Sequence, residues 1–411
     1  MNLRHSKLWP PIVLGLLVVA TLEGLSLAVL HLSRPLLTEE IRTTRDIWRE
    51  QRVQMRQLLQ GRGLLAVDSA LGWRYRSDIA TARDQTNSRG LRSAREYSAV
   101  PADSVVRVAA FGDSFVYGNE VDNASCWPVL AEHIYPRLEV LNYGVGGYGN
   151  DQAYLRFLAD GRSLSPRIAI LGFTPTDFGR VVNVYRRFLS NRELPLFKPR
   201  FVLRAGGQLE LVPSPVRAPA DYARYLDHPD AVTRLGRGDA WYEPAIYEDP
   251  LYDISATVRL LTGLWIRVRR RYVDGDRLVR DGVFNRASTA FALQTTLFQS
   301  FAAKARAAGI VPLVIILPDR ESIVRRRDGH APPIYAPLVD DLRAKGIDYL
   351  DLSEAFLARE GRQPPDGWFM PGGHYSPSAN RLVAEWLGPR LLERVRPPSA
   401  TSSYPRTAGR G

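Results

Sequence analysis

The sequence predicts an α/β protein: a parallel five-stranded sheet covered by helices, with a transmembrane helix before it and an insertion after its third strand. Two observations lead to this prediction. Short apolar runs alternate with longer helical segments between residues 105 and 396, and buried strands that alternate with helices imply a parallel sheet with both faces covered. A separate apolar segment lies near the N-terminus. With 411 residues and 45% hydrophobic content, the chain can bury a sizeable core.

The N-terminal segment, residues 12–32, is apolar except at Thr21, Glu23, Ser26 and His31. Its length is about what a helix needs to cross a bilayer. A cleaved signal peptide is the alternative, but its apolar stretch would be shorter, and no small-x-small cleavage pattern is found near Leu30. We therefore expect residues 1–33 to form an uncleaved anchor. A charge at the helix centre costs about 2.5–3.5 kcal/mol on insertion scales, which a partner helix would relieve at Glu23.

The flanking charges do not settle the topology of this anchor. Four arginines between residues 34 and 49 outnumber Arg4 and Lys7 before the segment, whereas the positive-inside rule needs a clear bias. Residues 34–104 follow, with a helical stalk predicted over 38–59 and an irregular lead-in over 60–104.

The whole chain is basic, with a net charge of +12 and a pI near 9.9. Such a charge favours contact with anionic lipid, polymer or nucleic acid. The arginines are scattered and no nucleic-acid motif accompanies them, so we expect no nucleic-acid partner. A single cysteine, Cys126, excludes an intramolecular disulfide and a cysteine-based metal site, and we expect neither a metal nor a cofactor. The densest basic cluster is interpreted as a solvated helix face and comprises Arg267, Arg269, Arg270 and Arg271.

The main domain is predicted at 105–396. Its strands are expected at 105–111, 138–142, 168–173, 310–317 and 349–352, and its helices at 125–135, 151–159, 289–308 and 378–395. Residues 179–288 break this rhythm and are treated as an insertion, with a hairpin around 201–212 that turns at Gly206 and Gly207. Residues 397–411 lack apolar periodicity and are expected to be disordered.

Four polar or glycine-rich segments lie where they can meet at one edge of this sheet. The first strand ends at Gly112-Asp113-Ser114, and the carboxyl ends of parallel strands are where ligands bind. Taken alone, Gly-Asp-Ser is also ordinary β-turn composition. A serine needs a base to become a nucleophile, and His374, between glycines and a Ser-Pro helix start, is the candidate. A surface or capping role is the alternative for a single histidine.

The glycine-rich segment 144–149 follows the second strand. Its backbone N–H groups can approach a ligand closely and hold a developing oxyanion, at about 2.7–4 kcal/mol for each donor. A flexible loop is the alternative reading. A phosphate loop is disfavoured because no Gly-Lys-Ser/Thr follows.

These blocks resemble the SGNH hydrolases, also called the GDSL esterase/lipase superfamily, in order and over residues 107–395. The resemblance implies a flavodoxin-like three-layer α/β/α fold. It also implies that Ser114 is the nucleophile, that His374 is the base, and that the N–H groups of Ser114 and Gly147 bind the oxyanion. Residues 148–152 are similar to membrane-anchored bacterial members, which implies an inner-membrane protein with one span and a periplasmic catalytic domain.

Two positions depart from the family pattern. The third block has Thr176-Asp177 in place of Asn-Asp, so the oxyanion-binding amide is replaced by a shorter hydroxyl. The aspartate that should orient the histidine would stand at Pro371 or Gly372. We expect either Asp366 or a backbone carbonyl to take its place, the latter leaving a Ser-His dyad.

The sequence thus predicts a serine esterase that removes a small O-acyl group, such as acetyl, from a cell-envelope glycan or a similar ester. The same site permits transfer of the acyl group to another hydroxyl. The alternative from a different class is a catalytically weak or inactive domain that binds a glycan or a protein partner through the aromatic residues of the insertion.

Overall fold

The computed structural model describes residues 9–32, 42–190, 193–329, 331–359 and 365–395. The tail at 397–411, for which disorder is predicted, lies outside the described residues. The strands are β1 Leu65–Asp68, β2 Gly72–Tyr75, β3 Val106–Phe111, β4 Leu138–Asn142, β5 Ile168–Phe173, β6 Arg200–Leu203, β7 Leu209–Val212, β8 Val279–Arg280, β9 Val283–Phe284, β10 Val311–Ile316 and β11 Tyr349–Asp351.

Fifteen α-helices lie within the described residues. They are α1 Trp9–Leu32, α2 Thr44–Leu59, α3 Ser114–Tyr117, α4 Trp127–Ile134, α5 Asn150–Asp160, α6 Arg186–Leu189, α7 Tyr222–Asp227, α8 Pro229–Gly236, α9 Pro244–Tyr247, α10 Ala256–Val268, α11 Thr289–Ala307, α12 Arg320–Asp328, α13 Ala336–Ala344, α14 Ser353–Ala358 and α15 Pro377–Glu393.

The central sheet contains five parallel strands in the order β11-β10-β5-β3-β4. Numbered by their succession in the chain, these strands run 2-1-3-4-5 from the β4 edge, which is the flavodoxin-like order. All five coincide with predicted strands. The predicted fold class is therefore confirmed, and β3 is an interior strand that lies between β5 and the edge strand β4.

Both faces of the sheet are covered by helices, because successive residues of a strand point to opposite faces. On β3, Val108 and Ala110 belong to a core shared with α4 and α15. Ala109 and Phe111 belong to a second core, shared with α5 and α11. Because both faces of β3 are packed in a buried core, the position of its carboxyl end is fixed.

The lead-in differs from the irregular segment that was expected. β1 and β2 form an antiparallel hairpin, and Gly72 takes a left-handed φ of 87° with its missing Cβ facing the carbonyl of Phe197. A Cβ there would lie 2.5 Å from that oxygen, so only glycine fits. The helix predicted over 38–59 is found at α2, and it packs on the insertion through Met55.

The insertion contains more helix than the sequence indicated. The predicted hairpin is found as β6 and β7, and its turn glycines, Gly206 and Gly207, have left-handed φ values of 85° and 75°. Helices α6 to α10 also lie in this segment. Four of these five helices have only four to eight residues, and such lengths give a weak periodic signal in sequence.

The first helix, α1, contains a segment, Pro11–Leu32, that is long and apolar enough to cross a membrane, with a mean hydropathy of 2.3. Almost all of its side chains are exposed in the isolated chain. Length and composition alone do not separate an anchor from a signal sequence.

Candidate active site

The nucleophile candidate lies at the turn from β3 into α3. Asp113 caps this short helix, with its Oδ1 accepting the Phe115 N–H at 2.9 Å. Gly112 allows the turn to lie against its neighbours, because a Cβ there would meet Val116 Cγ2 at 2.4 Å. Ser114 is consequently presented at the carboxyl edge of the sheet with its own N–H at the start of a helix.

His374 reaches this serine from the other end of the domain. Its Nε2 lies 2.9 Å from Ser114 Oγ, whereas Asp113 Oδ2, the second acceptor near the hydroxyl, is 3.4 Å away. The imidazole packs against Phe115 with 5.3 Å between ring centroids. The structure therefore brings together the two residues for which a nucleophile and a base were predicted.

Glu120 supplies the carboxylate on the far side of the imidazole. Its Oε2 lies 2.6 Å from His374 Nδ1 and accepts the His374 N–H at 3.1 Å, while its Oε1 accepts the Gly372 N–H at 2.8 Å. These bonds give an unbroken chain from Ser114 Oγ through the imidazole to a carboxylate.

The expectation for Asp366 or a backbone carbonyl at Nδ1 is corrected by this contact. The side chain of Asp366 lies outside the described residues, and its backbone belongs to the short helical turn Pro365–Trp368. The position at Nδ1 is occupied by Glu120, so the site is not a Ser-His dyad.

Glu120 also explains why no aspartate stands beside the histidine. A Cβ on Gly372 would lie 2.6 Å from Glu120 Oε1 and 2.7 Å from its Cδ. The carboxylate thus fills the space into which a side chain at position 372 would project. Glu120 itself adopts a left-handed φ of 69°, which is uncommon for a residue with a side chain.

Glu120 was not predicted, because the family pattern places the carboxylate shortly before the histidine in the sequence. Two signals were available. First, Gly372 and Gly373 directly precede the candidate base His374, and no acidic residue stands beside it. Second, Glu120 is an acidic residue only six positions after Ser114, so the fold keeps it near the nucleophile.

The Glu120 carboxylate remains ionised to low pH. Partial burial by itself raises its pKa, but the bond from His374 and the two backbone N–H groups more than offset this, so the pKa is lowered from its ordinary value. A lowered pKa keeps the negative charge beside the imidazole throughout the neutral range.

Gly147 lies on the loop that follows β4, with a left-handed φ of 81°. This loop runs along the nucleophile turn: Val145 N–H donates to Gly112 O at 3.0 Å, and Trp73 Nε1 donates to Gly146 O at 3.1 Å from the β2 side. Within the described ranges, neither the Ser114 N–H nor the Gly147 N–H donates to another residue. Both groups are available to an incoming acceptor.

Thr176 follows β5 and is exposed at the site. Its Oγ1 lies 3.0 Å from Thr174 Oγ1, and Thr174 donates to Asp113 Oδ2 at 3.2 Å. A hydroxyl has one proton, so with the Thr174 proton on Asp113, the Thr176 proton is directed at Thr174. Thr176 must turn its proton outward before it can serve a substrate oxygen.

Arg180 ties the three strand-end loops together. Its Nη1 donates to Asp177 Oδ1 at 2.7 Å, to Asp113 Oδ2 at 3.2 Å and to Tyr148 O at 3.0 Å. Burial and the nearby Asp113 charge raise the pKa of Asp177 well above its ordinary value, although Arg180 acts in the opposite direction. One guanidinium thus fixes the loops that carry Ser114, Gly147 and Thr176.

No protein-family model and no curated protein matches the sequence. Several solved structures are similar to the chain over most of their own length. A lipolytic protein of the G-D-S-L family from Desulfitobacterium hafniense is 16% identical, with 70% of this chain and 99% of that chain covered and a TM-score of 0.34. A GDSL-like lipase from Bacteroides thetaiotaomicron is 13% identical, with 72% and 92% covered and a TM-score of 0.35.

A third structure, described as an acylhydrolase from Bacteroides fragilis, is 12% identical, with 72% of this chain and 91% of that chain covered and a TM-score of 0.32. Identities and TM-scores this low carry no inference about activity. The chemistry of the chain therefore has to be argued from its own residues.

Proposed function

We propose that this chain is a serine ester hydrolase of the SGNH type, in which Ser114 is the nucleophile, His374 the general base and Glu120 the residue that orients the base. One observation carries the proposal: the continuous hydrogen-bond chain with 2.9 Å between Ser114 Oγ and His374 Nε2, and 2.6 Å between His374 Nδ1 and Glu120 Oε2. A serine, an imidazole and a carboxylate in this relation are the constellation that activates a serine for acyl transfer.

Acylation starts with the neutral imidazole in one tautomer. Because ionised Glu120 can only accept, Nδ1 carries the proton and Nε2 is free to accept the proton of Ser114. Ser114 Oγ then bonds to the acyl carbon while its proton passes to Nε2. The negative charge that develops on the acyl oxygen is stabilised by the N–H groups of Ser114 and Gly147, and Thr176 donates a third bond after its hydroxyl turns.

The tetrahedral intermediate collapses when the ester C–O bond breaks and His374 gives its proton to the leaving alcohol. Water then attacks the acyl carbon while His374 takes a proton from the water. The bond between this carbon and Ser114 Oγ breaks as His374 returns the proton to Ser114, and the carboxylic acid is released. If a second alcohol attacks in place of water, the product is a new ester. The same residues therefore support an O-acyltransferase as well as a hydrolase, and the acceptor decides the outcome.

The proposed substrate is a small O-acyl ester, such as an acetyl group, on a cell-envelope glycan. Two features support it. The segment 148–152 resembles membrane-anchored bacterial SGNH members, and the site opens to the surface at Thr176 and at the partly exposed His374. An open site suits an ester carried on a polymer.

The proposed location is the bacterial inner membrane, with α1 as a single-pass anchor and the sheet domain in the periplasm. The main support for retention of α1 is its bonding to the rest of the chain. Glu23 accepts the Ala256 N–H at 2.7 Å, and Ser26 Oγ lies 3.0 Å from Thr257 Oγ1. A cleaved signal sequence would take these partners away from the start of α10.

A second candidate function is a weakly active or inactive domain that binds its glycan without efficient turnover. Thr176 favours this second candidate, because its hydroxyl is already bonded to Thr174 and its side chain reaches less far than the asparagine side chain of the family pattern. The absence of an aspartate beside His374 no longer favours it, because Glu120 occupies that place.

The test is hydrolysis of p-nitrophenyl esters of increasing acyl length by the full chain in detergent micelles. We expect turnover that Ser114→Ala and His374→Ala each abolish, while Glu354→Gln, on the exposed face of α14, retains it. Equal rates in wild type and both site variants would refute the Ser-His mechanism. If wild type is slow and Thr176→Asn is much faster, the weakly active candidate is favoured.

A further inference from the structure

A strip of exposed apolar side chains runs along α10, which was not expected from the sequence. Four residues form this strip at helical spacing: Leu261, Leu264, Trp265 and Val268. Their relative exposures lie between 45% and 59%. The opposite side of α10 is buried, at Ala256, Arg259, Gly263 and Ile266. An uninterrupted apolar strip of this kind on a folded chain marks a contact with protein or lipid.

The start of α10 is bonded to the middle of α1. Glu23 accepts the N–H of Ala256 at 2.7 Å and that of Thr257 at 3.4 Å, and it also accepts the hydroxyl of Ser255. These are the first N–H groups of the helix, which have no partner within α10 and favour a negative charge. Glu23 therefore caps the first two N–H groups of α10 from a different helix, beside Ser255, whose Oγ accepts the Val258 N–H at 3.1 Å.

This bond sets the depth of α10 relative to α1. Glu23 precedes the last residue of α1, Leu32, by nine positions, or about 14 Å at about 1.5 Å for each residue. Apolar exposed residues continue on both sides of Glu23, from Ile12 to Leu32. A bilayer that covers these residues also covers the first turn of α10.

The far end of α10 shows on which side of a bilayer the helix leaves. Its 13 residues extend about 20 Å, which is short of the roughly 30 Å hydrocarbon core. Arg269 and Arg270, directly after α10, bond Glu243 of the insertion, so the helix leaves the bilayer on the side by which the chain entered it. Backbone at membrane depth must have its polar groups bonded, and the Glu23 cap meets that need at the α10 start.

The far end of α10 has the composition of a membrane interface. The cluster Arg267, Arg269, Arg270 and Arg271 lies there together with exposed Tyr272. Arg269 and Arg270 bond Glu243 at 2.7 and 3.0 Å, which ties this end to the insertion. Arginines and aromatic rings at a helix end suit the level of anionic headgroups. The cluster was interpreted from sequence as a solvated helix face.

We propose that α10 is a second membrane-embedded element, a helix that enters and leaves one leaflet beside α1, with Leu261, Leu264, Trp265 and Val268 against acyl chains and the arginine cluster at anionic phosphates. The occupant of the strip is thus lipid. The inference rests on the proposed anchoring by α1. Continuity with the apolar surface of α1 and the basic end of the helix favour lipid over a protein partner.

The test uses the full chain in nanodiscs of phosphatidylethanolamine and phosphatidylglycerol. Cysteines are introduced singly at Leu261, Leu264, Leu17 on α1 and Leu158, an exposed leucine of α5, and each is given a nitroxide label. Cys126 is buried and should stay unlabelled, so the parent chain is the blank. Relaxation of the label by oxygen, which concentrates in lipid, is compared with relaxation by a water-soluble nickel chelate.

We expect the oxygen-to-nickel ratio at 261 and 264 to match that at 17 and to exceed that at 158 several-fold. A high ratio at 17 with a low ratio at 261 and 264 would overturn the proposal for α10 and leave the anchor intact. Low ratios at all four sites would show that α1 does not lie in lipid and would refute the proposed anchoring. Protection of 261 and 264 from both reagents would place protein on the strip and also overturn the proposal.

Discussion

Two glutamates of this chain make similar sets of bonds in two different parts of the fold. Glu120 accepts two backbone N–H groups and one side chain from the loop of His374, 254 residues away. Glu23 accepts two backbone N–H groups and one hydroxyl from the start of α10, 233 residues away. The difference lies in the side-chain donor. Glu120 bonds the imidazole of His374, which must accept a proton, so Glu120 is a positioning residue for catalysis. Glu23 bonds the hydroxyl of Ser255, so its role is structural.

The strongest test of this comparison is Glu120→Gln. The glutamine keeps the size of the side chain, but its one carbonyl oxygen can accept only one of the two N–H groups. With that oxygen bonded to the Gly372 N–H, the amide nitrogen faces Nδ1 and donates to it, which places the imidazole proton on Nε2 and blocks acceptance from Ser114. A neutral amide also cannot stabilise an imidazolium. We expect kcat to fall about 10⁴-fold, as for removal of a triad carboxylate elsewhere, with a small fall in Tm from the lost bond to the His374 N–H.

The matched control for this variant is Glu354→Gln, which removes an exposed carboxylate from α14 and should leave kcat unchanged. Steady-state ester hydrolysis and thermal melting of both variants give the answer. A Glu120→Gln protein that turns over at the wild-type rate would show that the contact with Nδ1 does not serve catalysis.

A second experiment moves the carboxylate to the histidine's own loop. Gly372→Asp alone should lower both activity and stability, because its Cβ would collide with the Glu120 carboxylate. Combined with Glu120→Ala, the same substitution has room to reach Nδ1. We expect the double variant to recover to within about 10²-fold of wild type, the scale of a small misplacement of a catalytic group.

Activity of the double variant is compared with that of Glu120→Ala in a complete mutant cycle. If adding Gly372→Asp to Glu120→Ala gives no recovery, the carboxylate cannot act from position 372, and the two positions are not interchangeable. Recovery would show that the site needs a carboxylate at one point in space and not at one point in the sequence.

The sequence was sufficient to predict the strands, the serine and the histidine, but not the carboxylate. The five strands were predictable because each is a short apolar run, and Ser114 and His374 stand in segments with few other polar candidates. Glu120 was not predictable from spacing, because its bond depends on how β3 and the His374 loop come together in three dimensions. The same holds for Glu23, which was recognised as needing a partner, while Ser255 and Ala256 gave no sign in sequence of being that partner.

Removal of the second carboxylate tests the other half of the comparison. Glu23→Ala removes the acceptor of the first two N–H groups of α10, while Ser255 Oγ still accepts the Val258 N–H, and loss of a capping acceptor typically costs about 0.5–2 kcal/mol. We expect faster hydrogen exchange at the amides of Ala256 and Thr257, with esterase activity retained in detergent. The control is Leu22→Ala, at the neighbouring exposed position, which should leave these amides protected. Unchanged exchange in Glu23→Ala would mean that the cap does not hold α10.

The smallest expected effect is the pH dependence that Glu120 gives to stability. Its pKa is lowered in the folded chain from an ordinary 4.5, so the folded state favours the carboxylate, and the resulting stabilisation is complete above the unfolded pKa. It is lost as pH falls through the lowered folded value. The Tm difference between wild type and Glu120→Gln should therefore be constant from pH 8 to about 5 and shrink below about 4.5. If the Tm difference persists at pH 3, it arises from packing and not from the charge of Glu120. The bonds to Gly372 and His374 would then be equally strong with a neutral acceptor.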